Sequence, residues 1–158
     1  MVAKIGERMG DGWALLLGRR TYEDFYAVWP KQTDSPFSDA LNNAPKYVAS
    51  RTLTEPLPRS NSILVSGDAA DSVPQLKERS LGNLTIFGSG DLIRSLMSAD
   101  LIDEYLLMVH PLVLGSGCRL FSAGQDTRLR LLDTATTTTG VVIATYAKAY
   151  GPRPAEHR

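Results

Sequence analysis

Val2, Ile5 and Met9 recur at helical spacing before Gly10-Asp11-Gly12, which predicts a short opening helix ended by a glycine stop. Ala14 to Gly18 (ALLLG) is apolar throughout and too short for a separate helix. A strand covered on both faces of a sheet has this pattern. Tyr22, Phe25, Tyr26 and Trp29 then fall at i, i+3, i+4 and i+7, making one apolar helix face that Pro30 closes. The opening is thus helix, strand, turn, helix.

The same alternation continues. Lys31 to Pro36 is polar loop, Ser38 to Asn43 suits a short helix, and Lys46 to Ser50 (KYVAS) and Ser62 to Ser66 (SILVS) are strands. Ser72 and Gln75 have capping-box spacing, predicting a helix that starts there and runs to about Arg79. Leu84 to Phe87 is a further buried strand, and Gly88-Ser89-Gly90 leads into a helix with Leu92, Ile93, Leu96 and Met97 on one face. From Asp103 the pattern changes: Glu104 to Val109, Leu129 to Thr139 and Val141 to Ala149 are three long strands rich in Thr, Val, Ile and Tyr. Gly140 separates the last two, as a hairpin turn would. Gly151 to Arg158, with two prolines, reads as a frayed tail.

Strands alternating with helices, then a strand-rich end, predict an α/β fold. The expected architecture has three layers (α/β/α) around a mixed sheet, mostly parallel with antiparallel C-terminal strands. Residues 1–150 are expected to form a single domain and 151–158 a tail. In such sheets ligands bind beyond the carboxyl ends of the strands, so the segments directly after strands matter most.

Composition narrows the function classes. The 158 residues contain 17 basic and 17 acidic side chains, so no net field draws nucleic acid or an anionic membrane to the protein. The lone Cys118 cannot form an internal disulfide, and no signal peptide or run of about 18 apolar residues is present. A cytoplasmic protein acting on a small molecule is the expectation. One cysteine and the distant His110 and His157 offer neither a zinc set nor a Ser/His/Asp arrangement, and Cys118 beside Arg119 has no base to make it a nucleophile. No metal is expected.

Three strand ends carry candidate chemistry. Gly18-Arg19-Arg20-Thr21 opens a helix with free backbone donors, a hydroxyl and two guanidiniums, which suits phosphate. A solvated arginine pair with Thr21 as a simple cap reads the same residues equally well. Ser50-Arg51-Thr52 and Gly88-Ser89-Gly90 follow later strands. Each is weak alone and stronger as one of three. Gly115-Ser116-Gly117 has no helix after it and reads as a turn.

LLLGRRTYEDF, YVASRTL, LTIFGSGDLIRSL, DEYLLMVHPLVLGSGCRLF and GVVIATY, in this order, resemble the dihydrofolate reductase-like family. They are most similar to the reductase domain of riboflavin-biosynthesis deaminase-reductases and their stand-alone bacterial relatives. The resemblance spans Ala14 to Ala149 and implies an oxidoreductase that uses NADPH to reduce a small heterocyclic or ribosylaminopyrimidine substrate. It implies that Gly18, Arg19, Arg20 and Thr21 bind cofactor phosphates, and that Ser50 and Arg51 meet the 2′-phosphate. Gly88, Ser89, Gly90, Asp91, Leu92 and Ile93 would receive the pyrophosphate at a helix start. Phe25, Trp29, Tyr105 and Leu107 would face the substrate, although core packing accounts for these four almost as well.

The resemblance also implies a first strand and a Leu-Asp-Gly-like loop ahead of the opening helix, and neither is in this sequence. In the family that strand lies between those matching Leu84 to Phe87 and Glu104 to Val109. The expectation is therefore either a truncated chain or a compensated sheet. No general acid is assigned, and the catalytic residues stay unknown. Two rivals remain: a non-catalytic nucleotide-binding protein on this scaffold, and a structural homodimer built through the terminal strands. A homodimer is expected in either case.

Overall fold

The apolar run becomes β1 (Ala14–Gly18), in which Leu15, Leu16 and Leu17 are all excluded from solvent. Alternate side chains of a strand point to opposite faces. Burial of three consecutive leucines therefore requires cover on both sides of the sheet, each contributing roughly 1.5–3 kcal/mol on burial. The computed structural model, which describes residues 2–32, 35–59, 61–121 and 127–149, supplies that cover. Leu15 and Leu17 pack with Tyr22 of α2 (Arg19–Val28), Leu41 of α3 (Pro36–Asn43), Val48 of β2 (Lys46–Ala49), and Ala44 and Leu57. Leu16 lies outside that cluster. α4 (Ala69–Arg79) and α5 (Gly90–Ser98) pack together, α5 touches β1, and they bury Val73, Leu92 and Leu96. The short α1 (Val2–Met9) buries Ile5 and Met9.

With β3 (Ser62–Val65) and β4 (Leu84–Thr85), these strands form a parallel sheet in the order β3-β2-β1-β4. The chain divides into two compact units, Val2–Leu101 and one that begins at Ile102. The second unit holds an antiparallel sheet of β5 (Glu104–Val109), β6 (Leu129–Thr136) and β7 (Val142–Lys148), in the order β5-β7-β6. Gly140, at φ +81°, turns the last hairpin, and the Val141 backbone N–H donates to the Thr137 hydroxyl at 3.0 Å. A positive φ is open to glycine without steric cost. The register of β6 slips between Leu131 and Asp133, as a bulge would cause.

The fold is α/β, with the parallel front and antiparallel end that the sequence predicts. Among the described residues the strands belong to two separately hydrogen-bonded sheets: β4 ends one and β5 ends the other. Several local expectations change. α4 starts at Ala69 rather than after Ser72, because the Asp68 carboxylate accepts from the Ala70 N–H at 2.9 Å and caps the helix four residues earlier. The Ser72 hydroxyl instead donates to the Ser66 carbonyl. β4 pairs over two residues only, with Ile86 and Phe87 beyond it, and all four are half-buried rather than buried. α3 begins at Pro36, with Ser35 as its cap. Trp29 and Pro30 form a 3-10 turn (Trp29–Lys31) that extends the aromatic helix instead of ending it. The expected tail lies outside the described residues. Among them, no helix is long and apolar enough to cross a membrane.

Candidate functional site

Parallel strands bring their carboxyl ends to one edge, and the register sets Gly18 of β1 beside Ala49 of β2. The three motifs that follow these strands are therefore neighbours, and side chains join them. The Gly18 N–H donates to the Ser89 hydroxyl at 3.0 Å, while the Ser89 N–H donates to the Thr21 hydroxyl at 3.0 Å. The Ser89 hydroxyl in turn donates a hydrogen bond to the Phe87 carbonyl at 3.1 Å. On the other flank, Arg19 Nη1 donates to Thr52 Oγ1 at 2.8 Å. Ser50 Oγ accepts from the Thr52 and Leu53 N–H groups at 3.2 and 3.1 Å, shaping the turn after β2.

Gly88 and Ser89 both adopt left-handed backbone, at φ +56° and +53°. For a serine this costs roughly 1–2 kcal/mol, offset here by the bonds of its N–H and hydroxyl. A Cβ on Gly88 would stand 3.3 Å from Thr21 Oγ1. The glycine therefore permits the close approach that lets Thr21 hold the Ser89 N–H.

The four helices with described caps divide into two kinds. α3 and α4 have side-chain caps, from Ser35 and Asp68. α2 and α5, which open at the candidate phosphate motifs, have none: the N-cap of α2 is Gly18, which has no side chain, and the Ser89 side chain at the start of α5 does not bond into the first turn. Their leading N–H groups keep no side-chain acceptor, and the helix dipole leaves partial positive charge at both places.

Around them stand three arginines. Arg20 and Arg51 are exposed and bonded to no other described side chain, while Arg19 pairs with Glu23 at 2.8 Å. Asp91, a carboxylate in the first turn of α5, is paired with Arg94. Guanidiniums, hydroxyls and uncapped backbone donors together fit a ligand with several phosphate groups. Leu92 buries its side chain, and the Ile93 N–H is committed to the Ser89 carbonyl at 2.9 Å, so Ile93 leaves no backbone donor for a ligand there.

The four residues expected to face substrate fall into two groups. Phe25 and Trp29 lie in an aromatic cluster, with ring centroids 5.8 Å apart, Phe25 6.3 Å from Phe87 and Trp29 6.0 Å from Phe37. They are partly buried against the core of the first unit. Tyr105 and Leu107 belong to the second unit, on one face of β5 by strand alternation. The Tyr105 ring is buried 6.0 Å from Phe121, and burial pushes its phenol above the usual range. His110 and Cys118 are exposed.

Sequence reasoning missed Glu23 and Lys46, and the contact of Thr52 with Arg19. Glu23 and Thr52 hold Arg19; the Arg-to-Glu spacing of four along a helix was a legible signal, whereas the Thr52 contact joins the start of α2 to the turn after β2, 33 positions away. Lys46 is a buried lysine in a strand whose reading gave its charge no role. Its Nζ donates to the Asn42 and Ala44 carbonyls at 3.0 and 2.8 Å, and burial, followed by the charge of Arg59, lowers its pKa to about 8.

Comparison with known proteins gives the same outline. The family model of the RibD C-terminal domain matches residues 4–143. Among curated proteins, the uncharacterized protein YyaP of Bacillus subtilis is 30% identical over 137 residues, which cover 84% of this chain and 72% of YyaP. Among solved structures, a candidate riboflavin biosynthesis protein of Shewanella sp. PV-4 superposes with a TM-score of 0.72 at 25% identity, over 94% of this chain and 78% of that one. Dihydrofolate reductase from Enterococcus faecalis, complexed with NADP(H), shares the fold with a TM-score of 0.63 at 12% identity, over 92% and 80% of the two chains.

Proposed function

The chain belongs to the RibD C-terminal domain family, a family of reductases, and from that premise we propose that it is an NADPH-dependent reductase of a small heterocyclic or ribosylaminopyrimidine-like substrate of the riboflavin-precursor class. It works in the cytoplasm as a homodimer. The observation that carries this is the lacing of the three strand-end motifs around two uncapped helix starts.

NADPH supplies the hydride. The chain's own residues bind and orient it. The backbone donors of Arg19 to Thr21 and of Gly90 and Asp91 face phosphate charge, and Arg19, Arg20 and Arg51 neutralise it. Ser50 shapes the turn that carries Arg51. Arginines at both strand ends favour a cofactor with an additional 2′-phosphate over NADH. The enzyme of E. faecalis offers a precedent for NADP(H) on this fold. Phe25 and Trp29 in the first unit supply apolar surface suited to a flat ring, Tyr105 and Leu107 are separate candidates in the second, and holding two reactants in register is the protein's main catalytic contribution.

Titration with NADPH and with NADH, followed by quenching of protein fluorescence, tests the cofactor half. The expected result is preference for NADPH, weakened about 10- to 100-fold by Arg19→Ala or Arg51→Ala, as loss of a charge-assisted hydrogen bond predicts. Equal affinity for both nucleotides, or none for either, would refute it. Binding without NADPH oxidation by any pyrimidine substrate would leave a non-catalytic nucleotide-binding protein.

A further inference from the structure

Arg19 is the one arginine of the site whose side chain is already held, and it is held from two sides. Its Nε donates to Glu23 Oε1 at 2.8 Å, one helical turn along α2, and its Nη1 donates to Thr52 Oγ1 at 2.8 Å, on the turn after β2. Nη2 has no partner among the described residues. Arg20 and Arg51 have no such support. Glu23 is itself about half exposed, so a surface salt bridge of this kind adds little to stability. Its effect on the guanidinium's orientation is larger, because two fixed acceptors define the plane of a group that otherwise has several rotamers.

Resting on the NADPH reading above, we propose that Glu23 and Thr52 are positioning residues that set cofactor selectivity: they fix Arg19 with Nη2 turned outward for the 2′-phosphate. Thr52 needs only an accepting hydroxyl. Glu23 carries two opposed effects, since its carboxylate orients Arg19 while its charge repels a phosphate nearby. Exposure weakens the repulsion by solvent screening, whereas the direct hydrogen bond persists. Orientation therefore outweighs repulsion. Thr52 also ties the start of α2 to the segment of Ser50 and Arg51, so the two cationic motifs act on one phosphate rather than separately.

The experiment is the dissociation constant of NADPH relative to that of NADH in the full chain, for Glu23→Ala, Glu23→Gln, Thr52→Val, Thr52→Ser and Arg19→Ala. Freeing one rotamer-rich side chain predicts that Glu23→Ala and Thr52→Val lower the preference for NADPH between about twofold and tenfold, with NADH affinity unchanged. Glu23→Gln, which keeps an accepting oxygen without the charge, and Thr52→Ser should retain the wild-type preference. If both Glu23 variants tighten NADPH, repulsion dominates and the proposal is overturned. It is likewise overturned if the variants change both nucleotides equally, as a merely structural role would. A wild-type preference that depends on Arg19 but ignores Glu23 and Thr52 would remove the positioning role alone. A wild type with no preference would remove the NADPH reading and the positioning role together.

Discussion

At the scale of residues, Lys46 illustrates how a charge survives in a core. Its ammonium meets the Asn42 and Ala44 carbonyls at the end of α3, where the helix dipole is negative. Arg59 and Asn61 donate to the same Asn42 carbonyl, at 3.1 and 2.8 Å. That convergence satisfies the acceptors, yet burial and the nearby guanidinium still lower the pKa from 10.5 to about 8. Between these two values the unfolded chain binds more protons than the folded one, so stability rises with pH through that window. Tyr105 acts oppositely: its raised pKa means stability is lost once the unfolded phenol ionises above its ordinary value of 10.0. Urea denaturation at pH 7.5 and pH 9.5 should therefore give a higher midpoint at the alkaline value, and Lys46→Met should flatten the difference. An unchanged pH response in that variant would assign the effect elsewhere.

At the scale of elements, α4 offers a direct test of which polar residue starts a helix. Asp68→Ala should cost about 1 kcal/mol by removing the cap, while Ser72→Ala should cost only about 0.5 kcal/mol, because it removes one long hydrogen bond to the Ser66 carbonyl. Denaturation midpoints of the two variants distinguish them. Spacing alone favours Ser72, with Gln75 three positions on and Pro74 comfortably in the first turn. The folded chain prefers Asp68 and places Pro74 inside the helix. Two nearby capping residues cannot be ranked from sequence, because the choice depends on where the helix face must meet α5. Where the pattern has no competitor, the elements are legible: β1, β5 and α1 have the predicted bounds. β4 is shorter because strand length depends on pairing, which the sequence of one strand does not contain. The three phosphate motifs were readable as residue types after strands. Their interlocking through Ser89 and Thr21 was not, since it joins positions 68 apart.

At the scale of the whole molecule, ligand binding and folding are linked through the uncapped starts of α2 and α5. An anion that satisfies those donors binds only the folded chain, and stabilises it in proportion to the logarithm of its concentration. Inorganic pyrophosphate at about 100 times its dissociation constant should add about 2.7 kcal/mol. Differential scanning fluorimetry should record a rise in Tm that Arg19→Ala reduces. No rise would mean that the two helix starts do not act as an anion site.

The backbone does not demand glycine at position 18. With φ −76° and ψ 159°, Gly18 occupies ordinary extended space, and an added Cβ would meet Ser89 and Leu92 only at 3.7 and 3.8 Å. A serine or aspartate would fit and would cap α2, gaining a few tenths of a kcal/mol. An optimiser that scored stability alone would therefore replace Gly18, and in doing so would occupy with the protein's own oxygen the donors that the proposed phosphate needs. On the proposed reading, the weakness at this helix start is a compromise between durability and use, and a thermostabilised variant of this chain should leave it untouched.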